Sequence, residues 1–261
     1  FSKKECRMQP SIKGGTRNLF YRVDSSQPFI SIIVVTLNAA AHIESCLLSI
    51  MQQPYQNIEI LVFDGGSNDA TLNILEKYDK YITFWQSQPD RGVYDAMNKA
   101  VKLAKGDWVY FLGADDKLLS GFARLASKLT DSNTVYYGDM SYDGEETSRK
   151  KYSAYRLAKE TICHQAIIYP RSVFDEYQYD LNYPLAADWN LNLRLWGDER
   201  YTFRFYPYLI ADFSMSGIST QGKDHNFLKD QPRIIKETLG WPVYLRYRLK
   251  QLKRKLKNAS H

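Results

Sequence analysis

The sequence predicts an α/β fold with a mostly parallel central sheet flanked by helices and a basic amphipathic helix at the C-terminal end. Three observations carry this reading. Apolar, β-branched runs alternate with helical patterns of ten or so residues. Each of the first four runs ends in polar residues, and three of those four ends carry carboxylates. After residue 240, leucines recur at helical spacing among basic residues.

Residues 1–27 are polar, with Gly14-Gly15 and Ser25-Ser26, and read as an arm before the domain. Ile30–Thr36 (ISIIVVT) is continuously apolar, as suits a strand buried on both faces. Ile43, Leu47, Ile50 and Met51 then follow at helical spacing. Ile58–Asp64 is a second strand and Thr71–Tyr78 a second helix. Tyr81–Gln86 is a third strand, Tyr94–Ala104 a third helix and Trp108–Gly113 a fourth strand. Strands joined by helices imply right-handed βαβ units. Beyond residue 130 the alternation loosens. Short strands are expected at Thr134–Tyr137 and Gln165–Tyr169, a helix at Ala187–Trp196 ended by Gly197, and another at Lys223–Leu239. The pattern divides residues 28–240 into a nucleotide-binding half (28–117) and an acceptor-binding half (118–240).

The net charge of +6 is unevenly spread. Residues 246–257 contribute seven positive charges and residues 1–27 a net four, so the segment between them carries five net negative charges. A unit that is acidic between basic ends is not built to grip polyanions, so no nucleic-acid partner is expected. Cys6, Cys46 and Cys163 are too far apart for a zinc knuckle and too few for a disulfide framework, which fits a reducing cytoplasm. No apolar run reaches the ~18 residues of a membrane span, and residues 1–27 lack the apolar stretch of a signal peptide.

In open α/β sheets, ligands sit beyond the carboxyl ends of the strands. This chain places Thr36-Leu37-Asn38 after the first strand and Asp64-Gly65-Gly66-Ser67-Asn68-Asp69 after the second. Asp90-Arg91-Gly92 follows the third strand and Ala114-Asp115-Asp116 the fourth. Neither a G-x-G-x-x-G nor a phosphate-loop motif is present. Taken alone, Asp69 would cap the second helix, and Asp116 would cap a helix beginning at Lys117. Paired acids at a fourth strand exit, opposite two other acidic exits, point instead to Mg²⁺ or Mn²⁺ held with substrate phosphate oxygens.

The segments TLNA, DGGSNDAT, QPDRGVYDAMNKA, GDWVYFLGADD, ICHQAIIYP, LAADWNLNLRLW and FSMSGIST resemble, in that order, the family 2 glycosyltransferases with a GT-A (Rossmann-like) fold. The likeness is strongest to bacterial enzymes that assemble exopolysaccharide, capsule or O-antigen units, and it covers roughly residues 29–222. It implies an inverting, metal-dependent hexosyltransferase that takes a nucleotide-sugar donor, with UDP the commonest nucleotide. Thr36, Asn38 and Asp64 would hold base and ribose, with Arg91 near the diphosphate. Asp115 and Asp116 match the metal motif, Asp116 as direct ligand to Mn²⁺ or Mg²⁺ and Asp115 also facing the donor. Asp188 matches the catalytic base, while His164, Gln165 and Trp189 would position substrates. Gly113 stands where many relatives have Asn, which puts the ribose contacts in question. His225 lies in a polar stretch and is expected at the surface, and Ser214–Gly222 could close over the donor or simply connect.

The chemistry fits those roles. A leaving nucleoside diphosphate gains charge that a divalent cation neutralises, and an acceptor hydroxyl of high pKa needs a carboxylate to take its proton. Two other readings compete: a non-catalytic nucleotide-sugar or glycan-binding module of the same fold, and a nucleotidyltransferase. A pure binder has no need of Asp188. The position where nucleotidyltransferases carry a glycine-rich basic loop reads TLNAAAH here.

In the tail, residues 241–261, Trp241, Leu245, Leu249, Leu252 and Leu256 share one helical face among basic residues. Such a helix suits the anionic inner-leaflet surface, which residues 241–257 would contact, so a peripheral enzyme acting on a glycan or lipid-linked acceptor is expected. The bland alternative packs those leucines on the domain or on a partner chain.

Overall fold

The computed structural model describes residues 11–16, 24–146, 151–215 and 222–259. It opens on a strand that the polar composition of residues 1–27 does not signal. Ile12–Gly14 (β1) pairs antiparallel along Trp85–Ser87, so part of the expected arm forms a sheet edge. Local apolar pattern carries no trace of such pairing, because an edge strand this short is fixed by its partner.

The next elements follow the predicted alternation: Ile30–Thr36 (β2), Ile43–Met51 (α1), Ile58–Asp64 (β3), Thr71–Lys77 (α2), Phe84–Ser87 (β4), Val93–Val101 (α3) and Trp108–Gly113 (β5). β4 starts later than expected because Asp79–Tyr81 turns as a 3₁₀ helix. The order β4-β3-β2-β5 is parallel throughout. Every residue of β2 and β3 is buried. Side chains alternate between faces, so Ile33 and Val35 enter one core while Ile30, Ile32 and Val34 enter the other. Each such fully buried Ile or Val stabilises the fold by about 1.5–3 kcal/mol relative to exposure.

The second half is irregular and brings in antiparallel pairing. It comprises Lys117–Leu118 (β6), Gly121–Ala126 (α4), Thr134–Tyr142 (β7), Glu145–Glu146 (β8), Ala154–Leu157 (α5), Ile167–Pro170 (β9), Val173–Glu176 (α6), Ala187–Gly197 (α7), Thr202–Phe213 (β10) and His225–Ala259 (α8). The sheet continues β5-β9-β7-β10-β6. β9 is antiparallel to both neighbours, and β10 is parallel to β7. The expected strand at Gln165–Tyr169 begins only at Ile167, since His164–Ala166 is a 3₁₀ turn. Helices α1, α2 and α4 cover one face, and α3, α5, α6, α7 and α8 the other.

Two glycines are explained by close approach. A Cβ on Gly121 would lie 2.0 Å from the Leu209 carbonyl oxygen, so α4 could not seat against β10. Gly197 ends α7, as expected, as its last residue. A Cβ there would come 2.3 Å from the Thr238 carbonyl oxygen, which is the α7–α8 contact.

The expected helix ending at Leu239 continues into the tail. Gly240 breaks it with φ 77°, in the left-handed region that favours glycine, and Pro242 opens the second segment where a missing N–H costs nothing. Across the break, the Tyr247 hydroxyl donates to Gln231 Oε1 at 2.8 Å, tying the two segments together.

Candidate functional site

The strand order sets the position of the site. From β2 the chain moves outward to β3 and β4, then returns to the other side of β2 as β5. The crevice at this reversal is flanked by the ends of β2 and β5, where Thr36 and the Asp115-Asp116 pair lie. Because β9 runs antiparallel to β5, the turn preceding it, His164–Ala166, arrives beside the carboxyl end of β5.

At the first strand exit, Thr36 Oγ1 is buried and has no hydrogen-bond partner among the described residues, the kind of atom a bound ligand would satisfy. Asn38 adopts a left-handed φ of 50° and its side chain accepts the Asn68 N–H at 2.9 Å. Asp64, only 2% exposed, accepts the N–H groups of Gly66 and Ser67 at 3.0 and 2.8 Å. The hydroxyls of Ser67 and Ser87 also donate to it. Its carboxylate therefore shapes the DGGS turn. Asp69 accepts the Thr71 N–H at 2.9 Å, as a helix-start acid should, and also that of Ala40 at 3.1 Å.

At the third exit, the Asp90 carboxyl lies over Gly65, and burial raises its pKa. Arg91 is largely exposed and reaches Asp95 at 3.2 Å, while Lys99 reaches the same carboxylate at 2.9 Å. The guanidinium is thus exposed on a weak surface tether.

The fourth exit holds two unlike acids. Asp115 is half-buried and lines a cleft of about 370 Å³ with His42, Ser45, Lys117, Asp143 and Asp212. Asp116 is 1% exposed. It does not cap a helix; it accepts N–H groups from Ser214 and Gly113 at 2.9 and 3.2 Å and the Gln165 amide at 2.9 Å. Burial raises its pKa to about 6, and no Lys or Arg among the described residues pairs with it.

Asp188 opens α7, where the N-terminal helix dipole favours a carboxylate. Its Oδ1 accepts the Tyr94 hydroxyl at 3.1 Å and the Trp189 N–H at 2.7 Å, and Oδ2 lies 3.4 Å from His164 Nδ1. Burial, then the Asp188 charge, pushes the Tyr94 hydroxyl well above its ordinary pKa, so it remains a donor. Consecutive residues of one turn thus touch two acidic centres, His164 at Asp188 and Gln165 at Asp116.

Trp189, expected to help position substrates, is half-buried and packed between α5 and α8. Its indole N–H donates to the Leu157 carbonyl at 2.7 Å, and its ring lies 5.0 Å from that of Phe227. His225 is exposed, as expected. The proposed closing segment Ser214–Gly222 falls mostly on residues 216–221, outside the described residues.

Sequence reasoning missed Tyr94 and Asp224. Asp224 accepts the N–H groups of Leu185 and Ala186 at 2.9 and 3.1 Å and that of Phe227 at 3.0 Å. It fixes the lead-in to α7, two residues before Asp188, against the start of α8. The Asp224–Phe227 bond is a local cap at the start of α8, but the contacts of Tyr94 and Asp224 with the α7 region carry no local signal, because those partners lie tens of residues apart. Hydrogen bonds to charged groups contribute about 1.5–3 kcal/mol. Tyr94→Phe is accordingly expected to slow any reaction that uses Asp188 as its base about ten- to a hundredfold. Equal turnover in a steady-state comparison would make Tyr94 a packing residue only.

The donor set fits a hard divalent cation. Among the described residues, no group of three or more His, Cys, Asp or Glu side chains could hold a metal. Mg²⁺ and Mn²⁺ sites of this type take one or two carboxylates and draw their remaining oxygens from substrate phosphate and water. Asp115 and Asp116 supply that much. A buried carboxylate with only neutral donors around it is also the group a cation would relieve of its desolvation cost.

Comparison with known proteins gives the family and the fold. The family model described as Glycosyl transferase family 2 matches residues 31–211. A Mycobacterium bovis protein named PGL/p-HBAD biosynthesis glycosyltransferase is 36% identical over 218 residues, covering 78% of this chain and 84% of its own. Among solved structures, S. aureus TarS 1-349 in complex with UDP-GlcNAc superposes with a TM-score of 0.64 at 19% identity. The match covers 79% of this chain and 65% of that one, just under two thirds. The mannosyltransferase PcManGT from Pyrobaculum calidifontis, in complex with GDP-Man and Mn²⁺, gives 0.60 at 16% identity, covering 85% and 74%. These two likenesses are of fold.

Proposed function

Because the chain belongs to glycosyl transferase family 2, we propose that it is a metal-dependent, inverting hexosyltransferase. It moves a sugar from a nucleotide-sugar donor, most simply a UDP-sugar, to a hydroxyl of a glycan or lipid-linked acceptor in bacterial surface polysaccharide synthesis. The observation that carries the proposal is the His164-Gln165 turn. One of its residues contacts a helix-start carboxylate, Asp188, and the next contacts a buried strand-end carboxylate, Asp116. A base and a cation site are the two acidic functions that the reaction requires.

In this reading Thr36, Asn38 and the Asp64 turn hold base and ribose, and Arg91 approaches the diphosphate. Asp116, with Asp115 beside it, holds Mn²⁺ or Mg²⁺, which when bound neutralises charge developing on the diphosphate. Asp188 takes the proton of the acceptor hydroxyl. The acceptor oxygen then forms its bond to the anomeric carbon as the bond to the diphosphate oxygen breaks, and that electron pair leaves with the nucleoside diphosphate. One base on the face opposite the leaving group gives inversion. Tyr94 and His164 hold the Asp188 carboxylate, and His164 faces it from the substrate-positioning turn. A UDP donor is supported by the TarS complex with UDP-GlcNAc and use of Mn²⁺ by the PcManGT complex, each at the level of fold.

The test is calorimetric titration of the chain with UDP, GDP and dTDP, each with Mn²⁺ and with EDTA. Binding of one nucleotide in Mn²⁺ and its loss in EDTA is expected, and it names the donor class. Absence of binding to all three under both conditions would remove the transferase reading in favour of a degenerate module.

A further inference from the structure

The second segment of α8 carries a surface that sugar transfer does not use. At ~100° per residue, Trp241, Leu245, Leu249 and Leu252 share one face, and all four are 51–59% exposed. The roughly opposite face is already spent on the domain. Tyr247 is buried there, its hydroxyl on Gln231, and Gln251 donates to that hydroxyl at 2.6 Å. To one side, the Arg246 guanidinium sits 3.9 Å from the centre of the Tyr155 ring. The domain thus seats the helix by its tyrosine face and turns the leucine face outward. The alternative in which the leucines pack on the domain is excluded by their exposure.

Charge decides what covers that face. Arg248 flanks the stripe on one side and Lys253 on the other, with Lys250 and Lys257 further round, all of them exposed. No acid follows Glu237. A second copy pressed leucine to leucine would bring two such basic sets together with nothing to neutralise them. An anionic lipid surface satisfies both features, apolar side chains entering among acyl chains while long basic side chains reach the phosphates. Among the described residues no helix is long and apolar enough to cross a membrane, so this helix would lie along the surface.

We propose that residues 241–257 dock the protein flat on an anionic membrane surface through Trp241, Leu245, Leu249 and Leu252, with the flanking Lys and Arg on lipid phosphates. The proposal deepens the functional reading by placing the enzyme where a lipid-linked acceptor resides. It does not depend on the chemistry at Asp188.

The test is sedimentation of the full chain with vesicles of phosphatidylcholine alone, and with vesicles of phosphatidylcholine and phosphatidylglycerol in equal parts. The wild type is expected to partition onto the second and not the first. Leu249→Glu/Leu252→Glu is expected to lose at least about tenfold of that partition. Lys250→Glu/Lys253→Glu should lose about fivefold or more for each charge removed. Nucleotide binding should stay unchanged in both variants, which certifies their fold. Equal partition of wild type and both variants, or indifference to phosphatidylglycerol, would overturn the proposal. So would a wild-type dimer, seen by size exclusion, that the leucine variant dissociates while no vesicle binding occurs. Partition is read without donor or acceptor, so failed sugar transfer leaves it standing, and failed partition leaves the reading of Asp116 and Asp188 standing.

Discussion

Asp188→Asn is expected to lower sugar transfer by about 10²–10⁴-fold, the usual contribution of a positioned general base, while leaving donor affinity nearly unchanged. The amide is nearly the same size as the carboxylate. Its oxygen can still accept the Tyr94 hydroxyl and the Trp189 N–H that Asp188 Oδ1 accepts. Folding should therefore be little affected, and the lost function is proton acceptance alone. The donor contacts proposed at Thr36, Asn38 and Asp64 lie at the ends of β2 and β3, far in sequence from α7, so nucleotide titrations should match wild type. Single-turnover assay with donor saturating separates the outcomes. Full turnover in the variant would remove Asp188 from the mechanism, and a parallel loss of nucleotide affinity would make its role one of architecture.

Asp116→Ala is expected to abolish Mn²⁺-dependent nucleotide binding, and the wild type should show why through pH. Burial raises the Asp116 pKa from 3.8 to about 6. Between those values the folded, metal-free chain keeps a proton that the unfolded chain has released. This group's contribution to stability therefore falls as pH rises through that window. Cation binding works in the opposite sense, since it requires the ionised carboxylate. Apparent Mn²⁺ affinity should accordingly weaken about tenfold per pH unit below pH ~6 and level off above it. Titration with nucleotide saturating, between about pH 5 and 7.5, checks this, and a pH-flat affinity would take Asp116 out of the coordination. The alanine variant also removes the acceptor of the buried Gln165 amide. Loss of about 1–3 kcal/mol of stability is expected from that donor alongside the loss of binding. Melting measured in EDTA separates that effect from the lost metal site.

The first half of the fold was readable because its information is local. β2, β3 and β5 are buried on both faces, so continuous apolar runs mark them, and the motifs at their ends follow directly. The second half was less so. β10, at twelve residues, went unrecognised because its exposure is intermediate along most of its length and Pro207 interrupts it. β1 and β6 are strands by virtue of their partners alone. Likewise, Trp189 beside Asp188 suggested a substrate contact, and only the packing of α8 against α7 shows that its ring faces Phe227.

By itself the sequence determined the alternation of strand and helix, the acidic strand exits at Asp64, Asp90 and Asp115-Asp116, and the leucine periodicity of the tail. Each of these is written in neighbouring residues, through the two- and 3.6-residue repeats of strand and helix. Only the tertiary structure decided that β9 runs antiparallel to β5, bringing Gln165 to Asp116 and His164 to Asp188. It alone decided that Tyr94 and Asp224 hold Asp188 and its helix in place, and that the leucines of the tail face outward. Those relations join residues far apart in the chain, and sheet order and helix seating are settled by which apolar faces bury one another, which no local pattern encodes.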